Sequence, residues 1–346
     1  MAIVEAIAKL VERRDLTPAE AEAAMAEIMR GEASEAQIAA FLTALRMKGE
    51  TVGEIAAFAR VMRANCVKVA TSVPTIDTCG TGGDAIKTFN VSTCAAFVLA
   101  GAGLYVAKHG NRAVTSRAGS ADVLEELGVN LNLPAAAWAG VLEKVGIAFL
   151  FAPVFHPAMR HAVKPRRDIR IRTVFNVLGP ITNPFGAKRQ IMGVYAPELV
   201  EKMAHVLKEL GCERGFVVHG MDGIDEVSIV GRTLVAEIGA GEVRKREVVP
   251  EDFGLRRASV EDILGGDAAT NARIIISILK GEKGPRRDVV VANAALGLIA
   301  GGKAFELREA VAKAERAIDS GRALAKLRAL VTESGGSEEK LRAAGA

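Results

Sequence analysis

Over the first 65 residues apolar positions recur every three to four residues, and each run follows the same start signal. Thr17 with Glu20, Ser34 with Gln37 and Thr51 with Glu54 each place a hydroxyl three residues ahead of a Glu or Gln. That spacing is a capping box, in which the two side chains satisfy N–H groups at opposite sides of a helix start. It predicts a small helical bundle, with Ile28, Ile38, Phe41, Leu42, Leu45 and Met47 as core or subunit contact. From about residue 75 the pattern changes. Short apolar runs at 75–78, 104–107, 148–151, 190–194 and 214–219 alternate with helical periodicity near 92–102, 120–127, 135–145 and 197–210, the mark of an α/β domain. A hairpin follows at 234–238 and 243–249, then helices at 270–279, 289–299, 303–320 and 323–334. Asn293 inside an apolar run needs a hydrogen-bond partner if buried, and the polar tail 335–346 reads as frayed.

Composition narrows the class without choosing within it. Half of the 346 residues are apolar, enough for one large core and a smaller attachment. A net charge of +4 argues against a protein that wraps nucleic acid and suits one that handles polyanionic small molecules. Apolar runs are interrupted before membrane-spanning length, and residues 1–10 carry Glu5 and no cleavage-site pattern, so a cytoplasmic protein is expected. Cys66, Cys79, Cys94 and Cys212 have no C-x-x-C spacing and read as reduced thiols.

The candidate chemistry sits in the loops after the strands. The first runs Asp77, Thr78, Cys79, Gly80, Thr81, Gly82, Gly83, Asp84, then through Thr88, Asn90, Val91, Ser92 and Thr93 into an apolar helix. Glycines open backbone N–H groups to an anion, and a helix start adds unpaired N–H groups and the positive end of a dipole. A Walker loop is excluded because Ile86 stands where glycine must precede Lys87 and Thr88. A dinucleotide fold is disfavoured because the next strand ends in Lys108 and His109, with no acid for a ribose. The second loop, Lys108, His109, Gly110, Asn111, Arg112, Ala113, Val114, Thr115, Ser116, leads to Gly119 and Ser120 and forms a second anion site, with Lys108 as a mobile point charge. His109 either packs against a ligand or moves a proton. The basic run 160–172 is mostly a solvated face, yet one arginine turned inward could grip a carboxylate beside the rigid Gly179-Pro180 turn. Asp225 and Glu226, facing two phosphate loops, call for a cation, and magnesium suits carboxylate and phosphate oxygens. A nucleic-acid-binding relative using the basic run, or a transferase with another aromatic acceptor, remain as competing readings.

Taken together, Gly80-Thr81-Gly82-Gly83-Asp84, Lys108-His109-Gly110-Asn111-Arg112, Gly119-Ser120-Ala121-Asp122, the 176–184 segment and Asp225-Glu226 resemble the anthranilate phosphoribosyltransferases, along essentially the whole chain. The resemblance implies a small N-terminal helical domain (1–70, completed by helices around 165–190). It also implies a larger α/β domain (71–346) with a central mixed, largely parallel sheet flanked by helices, as in the nucleoside phosphorylases. It further implies a cytoplasmic homodimer contacting through the helical domain, with a role in tryptophan biosynthesis and no nucleic-acid or membrane partner. By position, Gly80, Gly82, Gly83, Asp84, Thr88, Asn90, Val91, Ser92, Thr93, the loop from Lys108 through Ser116, and Ser120 would hold phosphoribosyl pyrophosphate. Gly80, His109, Asn111, Arg166 and Pro180 would hold anthranilate; Ser92, Asp225 and Glu226 would bind Mg2+. Lys108, His109, Asn111 and Arg166 would be the catalytic set. Pro165 stands one place later than the family's usual proline, which leaves Arg166 and Arg167 as alternatives for the ligand-facing arginine.

Overall fold

A computed structural model describes residues 1–83, 86–113 and 117–346. Four helices open the chain: α1 (Ala2–Val11), α2 (Pro18–Arg30), α3 (Glu35–Lys48) and α4 (Val52–Ala64). The three capping boxes form as the spacing predicts, at Thr17, Ser34 and Thr51. Helix α1 has no such signal. Its first free N–H groups, on Ala2 and Ile3, donate instead to the carboxylate of Glu27 on α2, at 2.6 and 3.0 Å, so a distant acid replaces a local cap. The expected stripe is buried except for Met47, which is 69 % exposed.

The sheet has seven strands: β1 (Thr75–Gly80), β2 (Tyr105–Gly110), β3 (Ile147–Phe151), β4 (Arg189–Gly193), β5 (Arg214–Gly220), β6 (Thr233–Gly239) and β7 (Glu242–Val248). Their order is β3-β2-β1-β4-β5-β6-β7; the first five are parallel, and β6 and β7 add an antiparallel edge. The chain moves outward from β1 to β3, then returns to the other side of β1 with β4, which makes the β1/β4 boundary a topological switch point. In such sheets a crevice opens beyond the carboxyl ends of the strands at that boundary.

Helix α5 (Val91–Gly101) follows β1 and is buried along nearly its whole length, so its N-terminus is fixed above the crevice. Helices α6 (Ser120–Glu126) and α7 (Ala137–Val145) lead to β3. Between β3 and β4 lie α8 (Ala152–Phe155), α9 (Arg160–Ile169) and α10 (Phe175–Leu178). Ala162, Val174, Phe175, Val177, Leu178 and Ile181 from this stretch share a core with α1 to α4, and α11 (Glu198–Glu209) packs there too. The remaining helices, α12 (Ala268–Leu279), α13 (Pro285–Ala300), α14 (Leu307–Asp319), α15 (Arg322–Glu333) and α16 (Glu338–Ala343), cover the other side of the sheet. Asn293 on α13 is buried and bonded on both sides of its amide, accepting from Val227 N–H and donating to the Val227 and Val289 carbonyls.

The tail corrects the sequence reading. It is not frayed: Ser337 N–H donates to Gly128 O at 2.8 Å, its hydroxyl caps α16, and Leu341 is only 5 % exposed against the main core. Ala344 and Ala346 pack against the same core, so the few apolar residues of a polar segment are the ones that dock it. Among the described residues no helix is long and apolar enough to cross a membrane.

Candidate active site

A cavity of about 300 Å³ opens at the carboxyl ends of β1 and β2 and under the N-terminus of α5. Close approach explains two of the glycines there. A side chain at Gly80 would meet the Asp225 carboxylate, and one at Gly193, the end of β4, would strike the Asp225 backbone. The switch point thus brings the acid-bearing loop after β5 directly onto the end of β1.

The glycine loop is held by that contact. Gly82 N–H donates to Asp225 Oδ2 at 2.8 Å, and Thr81 N–H to Gly193 O at 2.9 Å. Glu226 takes the place expected of a capping side chain at α5, its Oε1 accepting from Ser92 N–H at 3.1 Å. A carboxylate there is favoured by the helix dipole. Asn90 is the N-cap but does not cap. Its side chain donates to Ala118 O and accepts from Asn271 Nδ2, tying the first loop to the second and to α12. Thr88 pairs in a β-bridge with Leu264. Val91 and Thr93 line the cavity, and the Thr93 hydroxyl is buried without a partner among the described residues.

Lys108 is not the mobile charge expected from sequence. It is 3 % exposed, and its ammonium donates to Thr78 O and, at 3.3 Å, to Ser92 Oγ. Burial lowers its pKa, against the pull of Cys79, Asp77, Glu226 and Asp225. Asp77 lies beneath. Its Oδ1 accepts from His109 N–H at 3.2 Å and its Oδ2 from Asn183 Nδ2 at 2.8 Å; burial pushes its carboxyl up to about 6, with Lys108 opposing.

His109 is oriented by its ring. Nδ1 lies 3.0 Å from Gly179 O, which calls for a proton on Nδ1 and leaves Nε2 as an acceptor. Burial, then the adjacent His156 ring 5.1 Å away, holds the His109 pKa down to about 3, so it is neutral at pH 7. Neither His109 Nε2 nor His156 Nε2 has a partner among the described residues. The Gly179-Pro180 turn is fixed from the other side by Gln190 Nε2, 2.7 Å from Pro180 O.

In the second loop Gly110, Asn111, Arg112, Ala113 and Ser120 all line the cavity. Arg112 is nonetheless committed elsewhere, to Asp122 at 3.1 Å and Glu125 at 2.8 Å. Asp122 also accepts from the N–H groups of Ala113 and Gly119, and Ser120 Oγ reaches Asn111 O at 3.4 Å. Asp84, Val114, Thr115 and Ser116 lie outside the described residues.

The two alternative arginines lie in different surroundings. Arg166 lines the cavity, its guanidinium 5.2 Å from the centroid of the Phe175 ring. The guanidinium makes no ion pair or hydrogen bond among the described residues, and burial lowers its pKa. Arg167 is exposed and paired with Asp168. Sequence reasoning allowed a single inward arginine, but Arg172 lines the cavity as well. His156, four residues ahead of the basic run, and Tyr195, which had no signal at all, also belong to the neighbourhood.

This architecture, a helical bundle beside an α/β domain with an anion-ready crevice, defines a two-domain glycosyl transferase. The family description "Glycosyl transferase family, helical bundle domain" matches residues 4–66, and "Glycosyl transferase family, a/b domain" matches residues 72–324. An anthranilate phosphoribosyltransferase from Geobacter sulfurreducens is 55 % identical over 345 residues, covering 95 % of this chain and 99 % of that protein. The crystal structure of the enzyme of that name from Thermus thermophilus matches with a TM-score of 0.91 at 44 % identity, covering 95 % and 99 % of the two chains. The Saccharomyces cerevisiae enzyme in complex with PRPP and Mg matches with a TM-score of 0.89 at 29 % identity, over 96 % and 98 %. The chain belongs to the anthranilate phosphoribosyltransferase family.

Proposed function

We propose that this enzyme transfers the phosphoribosyl group of 5-phosphoribosyl 1-pyrophosphate to the amine of anthranilate, yielding N-(5-phosphoribosyl)anthranilate and pyrophosphate, in tryptophan biosynthesis. The observation that carries the reading is that one cavity is lined by two chemically different sets of groups. One set is the glycine loop, the start of α5 and Lys108; the other is the half-buried guanidinium of Arg166, without an ion pair or hydrogen bond among the described residues, and the apolar turn at Pro180. The first suits a polyphosphate and the second a planar aromatic carboxylate, which a guanidinium can bind through two hydrogen bonds.

In this reading Gly80, Gly82, Gly83, Thr88, Asn90, Val91, Ser92, Thr93, Gly110, Asn111, Ala113 and Ser120 enclose the donor, with Arg112 anchoring the second loop through Asp122. Asp84 and the 114–116 segment join them. Arg166, Asn111, Gly80, His109 and Pro180 orient the acceptor amine toward C1 of the ribose. As the C1–O bond breaks, positive charge develops on the ribose ring and negative charge on the leaving pyrophosphate. The amine lone pair forms the new C1–N bond from the opposite face, with inversion. An arylamine is largely unprotonated at pH 7, so no base is needed before attack; neutral His109 Nε2 can accept a hydrogen bond from the amine. The proton that the nitrogen sheds once the C1–N bond has formed passes to the departing pyrophosphate or to water. Positioning and electrostatics supply the rate, with no covalent enzyme intermediate.

Asp225, Glu226 and the Ser92 hydroxyl are the groups that would hold Mg2+. Both carboxylates are nearly buried and line the same cavity as Ser92. Such a small set of oxygen donors suits a hard cation whose remaining ligands are water and phosphate. Its chemistry there would be neutralisation of pyrophosphate charge. Two further assignments belong to the same reading, a cytoplasmic location and a homodimer through the helical domain. Val4 and Val11, one face of α1, and Met47 on α3 are exposed, as a subunit contact would need. The test is loss of anthranilate fluorescence with donor and magnesium, with and without chelator. Magnesium-dependent loss with equimolar pyrophosphate release is expected; folded protein giving no loss would overturn the reading.

A further inference from the structure

The glycine loop is held from the helical side of the cavity as well as from the sheet. Arg172 lies in the link between α9 and α10, where its neighbours Val174, Phe175, Val177 and Leu178 are buried in the helical core. Its guanidinium crosses to the loop: Nη2 donates to Gly83 O at 2.6 Å, and Cζ lies 4.3 Å from the centroid of the Tyr195 ring. Tyr195 is tied to the same loop, its N–H donating to Thr81 Oγ1 at 3.0 Å. Gly82 and Gly83 adopt φ of 65° and 77°, and neither has a side chain to hold the backbone there. Two successive glycines otherwise sample many conformations. A carbonyl turned toward an anion repels it, so drawing the Gly83 oxygen onto Arg172 keeps that charge off the ligand and leaves N–H groups to face it.

We propose that Arg172 and Tyr195 form a strap between the helical core and the glycine loop, with Arg172 a positioning residue for the pyrophosphate of the donor. The proposal rests on the donor assignment above. The stacked ring restricts the guanidinium and the guanidinium restricts the carbonyl, so the two side chains act as one unit.

Steady-state kinetics with both substrates varied test it. Arg172→Ala should raise KM for the donor about tenfold, the scale of one charge-assisted hydrogen bond. KM for anthranilate should stay within about twofold, and the urea midpoint should not move. Tyr195→Ala should raise donor KM in the same direction, and Tyr195→Phe, which keeps the ring, should restore it. The double variant should be no worse than Arg172→Ala alone. Additive losses, or an unaffected donor KM in Tyr195→Ala, would make Arg172 a direct anion ligand and overturn the strap. A parallel rise in both KM values with a lowered urea midpoint would reduce it to a fold contact. If the wild type does not turn over, the donor assignment fails by itself. Titration of inorganic pyrophosphate into the full-length chain then decides the strap by the same pattern of affinities.

Discussion

Each domain buries a carboxylate beside a lysine, and the two networks are completed differently. In the helical domain Glu54 is 0 % exposed. Its Oε1 accepts from Leu16 N–H at 2.9 Å, and its Oε2 from Thr51 N–H and Lys48 Nζ, both at 2.8 Å. Burial pulls the Lys48 pKa down, but Asp15 and Glu54 outweigh it and hold it above the ordinary lysine value. In the α/β domain burial wins at both partners, raising Asp77 and lowering Lys108. Around that second pair the hydroxyl of Thr93 and the Nε2 atoms of His109 and His156 are buried without partners among the described residues. A network with every hydrogen bond made serves the fold; one with polar atoms left over is shaped for something that arrives later.

The sharpest way to break this contrast is to remove Glu54. Glu54→Ala leaves Lys48 buried with one partly exposed partner, and loss of one member of a buried pair costs roughly 3–5 kcal/mol. Urea unfolding followed by circular dichroism should show it, while the activity of the remaining folded protein stays near wild type. A change below about 1 kcal/mol would mean that the network is not structural.

The next effect tests the open side. Arg166→Ala removes a desolvated guanidinium that makes no ion pair or hydrogen bond among the described residues, so stability should fall by no more than its contact with the Phe175 ring contributes. KM for anthranilate should rise by about tenfold to a hundredfold, the scale of a charge-assisted pair. Arg167→Ala, which breaks an exposed contact with Asp168, should change neither. Equal effects of the two substitutions in acceptor kinetics would remove Arg166 from the site.

The smallest effect is in pH. Between about pH 4 and 6 the folded protein binds a proton at Asp77 that the unfolded chain has already released. That carboxyl therefore favours the folded state as the pH falls through this window. His109 and His156, held down to about 3 and 4, act oppositely: the unfolded chain takes up their protons below about 6.5, so they lower stability on acidification. Asp77→Asn should make the fall in Tm between pH 7 and 5 steeper than in the wild type; a shallower fall would show that Asp77 is not held protonated by burial.

The local features of the fold were legible. Capping boxes at Thr17, Ser34 and Thr51 and the five short runs that became β1 to β5 depend on neighbours within a few residues, and such signals survive in sequence. Helix α1 was missed because its cap is Glu27, a residue contributed by another helix. The tail was misread because its order comes from Leu341 and Gly128, which meet only after folding. In the site, Gly80, Gly82, Ser92, Asp225 and Glu226 were marked by residue type and by their place after strands. Arg172 was hidden in a basic run whose ordinary meaning is a solvated face, and Tyr195 had no neighbouring motif.

By itself the sequence determined the three capped helices, the run of strands from β1 to β5, the positions of the glycines and the inventory of charged groups, because each depends on local backbone preference and residue chemistry. Tertiary structure alone decided which charges are spent and which are left open. Arg112 is neutralised by Asp122 and Glu125, Lys108 is tethered to Thr78 and Ser92, and Arg166 lines the cavity with no ion pair among the described residues. Burial and partner choice set the behaviour of a charge, and both depend on groups far apart in the chain that the switch point between β1 and β4 brings together.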